Sequence, residues 1–136
     1  MALLEVQGVG KVFGPLRALD GVDVSVRANT FHGLIGPNGS GKSSLLRAVL
    51  GILNSPTGDV MIDGRSTNDM NAREIACNVA YAPQGAEIHW MLPVERLVAI
   101  GRTPHLAAWS NTTSADQDII EHALEVTDML DLRHRI

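Results

Sequence analysis

Cysteine is nearly absent from this chain. Cys77 stands alone, so no internal disulfide can form, and with no His or Cys at metal-ligand spacing beside it the residue reads as a small buried apolar side chain. The histidines His32, His89, His105, His122 and His134 are scattered without an H-x-x-x-H pair or clustered carboxylates, which argues against a zinc site. A basic excess is also missing: the net charge is −4, so attraction to nucleic acid or anionic lipid is not favoured globally. No run approaches the length of apolar residues that a transmembrane helix needs, and Glu5 interrupts the stretch where a signal peptide would be apolar. The chain is therefore expected to stay in the cytosol with no membrane span of its own. No internal repeat or low-complexity stretch occurs. What is present, 45% apolar and 19% charged residues in 136, suits one modest globular domain with a core.

The most informative stretch is Gly36-Pro37-Asn38-Gly39-Ser40-Gly41-Lys42-Ser43, which spells G-x-x-x-x-G-K-[ST] directly after the apolar run Phe31 to Ile35. Strand, glycine loop and helix in that order are what a phosphate-binding loop requires. Glycines let consecutive backbone N–H groups turn inward on phosphates, and the following helix presents its positive dipole end to the same anion. Lys42 adds a point charge for the β and γ phosphates, Ser43 a hydroxyl for the accompanying magnesium ion, and Ser44 continues the site into the helix. The alternative is a surface turn rich in glycine and serine, which the flanking strand and helix disfavour. That helix is predicted over Lys42 to Ile52, with Leu45, Leu46, Val49 and Leu50 as its apolar stripe.

Leu3 to Val6 and Leu19 to Val26 read as two antiparallel strands before the loop, with Val22, Val24 and Val26 on one face and Asp23, Ser25 and Arg27 on the other. Beyond the loop helix, Thr57 to Gly64 reads as turn, strand and turn, Asn71 to Asn78 as a short helix, and Val79 to Tyr81 as a short strand. A helix over Val94 to Ile100 ends before Pro104. Ser114 and Gln117 have the spacing of a capping box, opening a helix from about 115 to 129 whose apolar face is Ile119, Ile120, Ala123, Leu124, Met129 and Leu130.

Taken together, Phe13-Gly14, Ala18 to Val22, the phosphate loop, Ser55 to Val60, Ile62-Asp63-Gly64 and Tyr81-Ala82-Pro83-Gln84 resemble the amino-terminal half of an ATP-binding-cassette ATPase. The resemblance covers essentially the whole chain and implies an α/β fold, a P-loop NTPase core to about residue 84 followed by the start of a helical subdomain over about 85 to 136. Val98 to Leu106 is similar to the segment found in ATPase subunits of importers for iron-siderophore, haem and cobalamin. The resemblance assigns Phe13 to stacking on adenine, worth roughly 1 to 3 kcal/mol by analogy with base stacking elsewhere. The competing reading of Phe13 is a core residue near a strand edge. Gln84 matches the glutamine whose side-chain oxygen approaches magnesium and the attacking water. The segment Glu87 to Pro93, with Trp90, Met91 and Leu92, falls where family members meet their membrane subunits, and packing inside the helical subdomain is the equal alternative. For Trp109 core packing is expected.

The resemblance also implies ATP and Mg2+ as ligands, membrane permease subunits and a second ATPase subunit as partners, no nucleic acid, and a cytoplasmic position peripheral to the cell membrane. The chain contains no Gly-Gly and no Asp-Glu dipeptide, so the family's L-S-G-G signature and the acidic pair that holds magnesium and polarises water have no counterpart. By itself the chain is expected to hydrolyse ATP poorly if at all, and to be marginally stable, because strands that flank the phosphate-loop strand in a parallel sheet are missing. A nucleotide-binding fragment without turnover, or the first half of a non-transport cassette protein, remain as alternatives. An unrelated P-loop kinase or GTPase is disfavoured by Gln84 and Ile62-Asp63-Gly64.

Overall fold

The computed structural model describes residues 2–53, 57–85, 91–107 and 110–136. Ser55, Pro56, His89, Trp90 and Trp109 lie outside the described residues, and with them the expectations placed on those side chains. The chain forms two compact units, Met1–Ala80 and Tyr81–Ile136.

The first unit is built on an antiparallel hairpin. Strand β1 (Ala2–Phe13) and strand β2 (Leu16–Arg27) pair from Ala2↔Arg27 to Phe13↔Leu16. Both are longer than the alternation alone indicates. Gly14 takes φ 56° at the two-residue turn between them, a backbone region that costs glycine little and other residues more. Strand β3 (Thr57–Ile62) pairs with the other edge of β1, and the short β4 (Arg65–Ser66) pairs with β3, so the sheet order is β2-β1-β3-β4. The expected alternation in β2 holds: Val22, Val24 and Val26 are half-buried while Asp23, Ser25 and Arg27 are exposed.

A bulge in β1 decides which face is core. Val6 pairs with Val24 but Val9 pairs with Val22, so three steps on β1 match two on β2. Gly8, at φ 58°, absorbs the extra residue, and its N–H donates to the Asp23 carboxylate at 2.7 Å. Strict alternation would put residues 6 and 9 on opposite faces. The bulge resets the parity, so both are buried in one cluster with Leu19, Val60 and the helical residues Leu45, Ala48 and Val49. Each such side chain contributes about 1.5–3 kcal/mol on removal from water.

Helix α1 (Lys42–Val49) is shorter than predicted. Leu50 is its C-cap and Gly51 takes φ 66°, which turns the chain away before Ile52. Of the predicted stripe, Leu45 and Val49 are buried and Leu46 is exposed. Helix α2 (Ala72–Asn78) occupies the expected place, opened by a capping box in which the Asn71 side chain accepts from the Glu74 N–H and Glu74 accepts from the Asn71 N–H. The latter bond and Arg65 hold the Glu74 carboxyl below its usual range.

Three expectations in this unit are overturned. Phe31 to Ile35 has no regular structure, and Phe31 and Ile35 are almost completely exposed. A strand needs a neighbour for its ladder hydrogen bonds, and among the described residues none runs beside this segment. Val79 and Ala80 likewise carry no strand, as does Tyr81 at the start of the second unit. Cys77 is exposed rather than buried, because α2 turns only Ile75 fully into the core.

The second unit packs helix α3 (Val94–Ile100) with helix α4 (Ser114–Val126). Leu97 and Val98 are half-buried and Ile100 is exposed. The Val94 and Glu95 N–H groups, which lack intrahelical acceptors, donate to the carbonyls of Arg135 and Arg133, each at 3.0 Å. Arg133 also reaches the Glu95 carboxylate at 3.4 Å and that of Glu121 at 3.7 Å. Helix α4 buries Ile120 and Leu124, the latter completely, while Ile119 and Met129 of the predicted face are exposed. The helix ends at Val126, with Asp128 at φ 57°, so Met129 and Leu130 lie beyond its periodicity.

The α4 cap is also shifted by one residue from the predicted Ser114 and Gln117. Thr113 is the N-cap, accepting from the Asp116 N–H, and Asp116 returns the bond to the Thr113 N–H. Threonine caps as serine does, and the shorter aspartate reaches back as readily as glutamine. Among the described residues no helix is long and apolar enough to cross a membrane.

Candidate nucleotide-binding site

The glycine loop folds into a cradle whose shape follows from its residue types. Gly39 and Gly41 take φ 84° and 89°, values that place successive N–H groups on the concave side of the turn. The Ser40 N–H donates to the Pro37 carbonyl at 3.2 Å and closes the tip. Gly41 is the N-cap of α1 in the left-handed region and supplies no side-chain cap. It passes its carbonyl to the Leu45 N–H at 2.8 Å. The N–H groups of the first turn, from Lys42, Ser43 and Ser44, have no intrahelical acceptor, and an anion is their natural partner.

Gly41 is required for a second reason that sequence reading missed. A Cβ on it would meet the Ala18 carbonyl oxygen at 2.4 Å and the Leu19 side chain at 3.2 Å, so the loop is seated directly on β2. Gly36 is similarly tight, with Ser40 Oγ 2.6 Å from a virtual Cβ, whereas the equivalent position on Gly39 meets nothing within 4 Å. Open space at Gly39 and close packing at Gly41 suit a loop anchored on the sheet and open toward a ligand.

Lys42 brings the cradle's charge. Its Nζ donates to the carbonyl oxygens of Gly36 at 2.6 Å and Pro37 at 2.7 Å and lies 3.5 Å from Ser40 Oγ. The ammonium thus sits across the mouth of the loop, held by the carbonyls that flank the place where phosphates would lie. Ser43 is exposed and Ser44 half-buried on the first turn. The structure therefore gathers Gly36, Pro37, Asn38, Gly39, Ser40, Gly41, Lys42, Ser43 and Ser44 into one feature.

Phe13 stands at the hairpin end of the same unit. It is 45% exposed, so it is not the core residue of the competing reading, and Lys11 Nζ lies 5.4 Å from its ring centroid. The strand's two-residue period could have shown that pairing, since residues two apart, as Lys11 and Phe13 are, share a face of β1. Gln84 is exposed on the second unit. In the Glu87 to Pro93 segment, Met91 is exposed and Leu92 half-buried.

One ion pair of the second unit is largely shielded from solvent. Arg102 Nε donates to Asp116 Oδ1 at 2.9 Å, with the carboxylate side chain only 8% exposed. The Thr113 hydroxyl and N–H donate to the other oxygen at 2.7 and 3.0 Å. The Thr113 hydroxyl first, then its N–H and the Arg102 guanidinium, hold the Asp116 carboxyl down from its ordinary 3.8 to about 2. The T-x-x-D spacing was the readable signal, and Arg102 was not, because it lies fourteen residues away.

Known proteins resemble this chain in sequence and in fold. The petrobactin import ATP-binding protein FpuC of Bacillus anthracis is 34% identical over 118 residues, covering 87% of this chain and 43% of its own length. The hemin import ATP-binding protein HmuV of Pseudomonas entomophila is 34% identical over 126 residues, covering 93% of this chain and 48% of its own. A crystal structure of an ABC transporter's ATP-binding cassette in its ADP conformation superposes with a TM-score of 0.75 at 25% identity, over 99% of this chain and 57% of that one. The chain thus spans about half the length of the curated relatives it matches. The family model described as ABC transporter matches residues 19–136, and a match over most of the sequence, on a chain with this phosphate loop, means that the protein belongs to the ABC transporter family.

Proposed function

We propose that the chain is the phosphate-loop half of the ATP-binding subunit of an importer for an iron-siderophore, haem or cobalamin type ligand. The observation that carries this reading is the cradle at Gly36 to Ser44, with its left-handed glycines, uncapped α1 amides and the Lys42 ammonium across its mouth. The names of the petrobactin and hemin import relatives support the ligand class.

In this reading the loop amides and Lys42 hold the β and γ phosphates of ATP. The Ser43 hydroxyl, exposed on the first turn of α1, would be an oxygen donor for Mg2+, a hard cation that takes such ligands. Bound there, the ion supplies neutralisation of the charge shared by the β and γ phosphates. Phe13 offers its exposed ring to adenine. Permease subunits in the membrane and a second ATPase subunit are the proposed partners, with the protein on the cytoplasmic face.

Positioning alone does not transfer a phosphoryl group. This chain brings no acidic pair to polarise water and no glycine-rich signature to face the γ phosphate, so its own part is nucleotide binding without appreciable turnover. Calorimetric titration with ATP and Mg2+, run beside a phosphate-release assay on the same sample, tests both statements. Saturable binding with no release above the uncatalysed rate is expected; failure to bind would sink the phosphate-loop reading, and sustained release would sink the second statement.

A further inference from the structure

The exposed end of β1 shows how an adenine platform is held. Beyond the bulge at Gly8, Lys11 and Phe13 stand two residues apart on β1 with the Lys11 side chain over the Phe13 ring, as residues on one face of a strand do. Val9 is fully buried in the cluster that includes Leu19 and the α1 residue Leu45. Lys11 is half-buried and pairs with Leu19, whose side chain approaches Gly41 of the phosphate loop. Phe13 comes last and is open to solvent.

Among the described residues, Phe13 lies outside the buried cluster. Its neighbours Val12 and Leu16 are themselves more than half exposed, and the chain turns immediately afterwards at Gly14. The contact that restrains it is electrostatic: the Lys11 ammonium lies 5.4 Å from the centroid, within the range in which a cation is attracted to the negative face of an aromatic ring. With one face under the ammonium, the ring keeps its other exposed surface for a planar base.

We infer that Lys11 is a positioning residue of the nucleotide site, holding the Phe13 ring by a cation–π contact so that the base of ATP stacks on a platform already set. This rests on Phe13 being that platform. Lys11 acts through the ring, so its effect belongs to the base and not to the phosphates. A conformational search avoided before binding appears directly as affinity.

Titration of the 136-residue chain with ATP and with inorganic tripolyphosphate, for Lys11→Met, Lys11→Arg, Phe13→Ala and the Lys11→Met/Phe13→Ala double variant, separates the outcomes. Lys11→Met is expected to weaken ATP binding about two- to fivefold, the size of a surface cation–π contact, and to leave tripolyphosphate unchanged. Lys11→Arg keeps the cation and should retain wild-type ATP affinity. Adding Lys11→Met to Phe13→Ala should cost nothing more. Equal losses for ATP and tripolyphosphate overturn the inference by assigning Lys11 to the phosphates. Unchanged ATP binding in Lys11→Met, with a loss in Phe13→Ala, overturns it while leaving Phe13 as the platform. A Phe13→Ala variant with wild-type ATP affinity overturns the platform and the inference together.

Discussion

Lys42 Nζ donates to the Gly36 carbonyl oxygen across 2.6 Å, tying the first helical residue of α1 back to the first glycine of the loop. The same ammonium reaches the Pro37 carbonyl. A charge held at the mouth of a backbone cradle shapes the loop, and in the proposed function it is the cation that incoming phosphates meet.

Replacing Lys42 by Ala should therefore weaken ATP binding by roughly ten- to a hundredfold, in line with about 1.5–3 kcal/mol for a hydrogen bond to a charged group. The fold should survive, because the described bonds of the side chain are to atoms of the loop itself. Calorimetry with ATP checks the first statement and circular dichroism the second. Unchanged affinity would remove the loop from the site.

Gly41 and Gly39 share a left-handed backbone but not an environment. Alanine at either position costs about 1–2 kcal/mol for the conformation, and at Gly41 it also drives a methyl into the Ala18 carbonyl at 2.4 Å. Gly41→Ala should lower the urea midpoint clearly more than Gly39→Ala and should abolish ATP binding. Equal destabilisation of the two variants would show that β2 does not seat the loop.

Acid should loosen the second unit through Asp116. Its carboxyl is held at about 2 in the folded chain against an ordinary 3.8, so the folded state favours the charged form. That contribution is fully present above about pH 4 and is lost as pH falls toward 2. Asp116→Asn should be less stable than the parent at pH 7 and should show a flatter stability profile between pH 4 and 2. An acid-unfolding titration followed by circular dichroism gives the comparison, and parallel profiles for the two proteins would refute the assignment.

Leu124 and Ile119 test the orientation of α4. Leu124 is completely buried and Ile119 is 46% exposed, so Leu124→Ala should cost about 2–5 kcal/mol and Ile119→Ala well under half of that. Denaturant unfolding of the two variants decides it. Comparable losses would mean that Ile119 faces a partner in solution.

Much of the fold was legible because it is local. The alternation at Val22, Val24 and Val26 identifies the inward face of β2, and two antiparallel strands are readable ahead of the loop. Asn71 with Glu74 opens α2 where the pattern places it. The phosphate loop is the clearest case, since glycine spacing and a following helix start are enough to orient backbone N–H groups. Near misses were also local: Thr113 and Ser114 are both good caps, and only the backbone decides which one turns.

The amino-acid sequence by itself determined where the chain turns, where helices begin, and that Gly36 to Ser44 forms a glycine-rich loop ahead of a helix, because those outcomes depend on φ preferences and hydrogen bonds within a few residues. Tertiary structure alone decided the rest. Gly41 is confined by the carbonyl of Ala18, Arg102 finds Asp116, and Lys11 lies over Phe13. Phe31 to Ile35, apolar enough for a strand, has no regular structure because a strand exists only beside another, and Cys77 is exposed although cysteine favours burial. Burial and pairing are properties of residues distant in sequence, and no local pattern encodes which of them will meet.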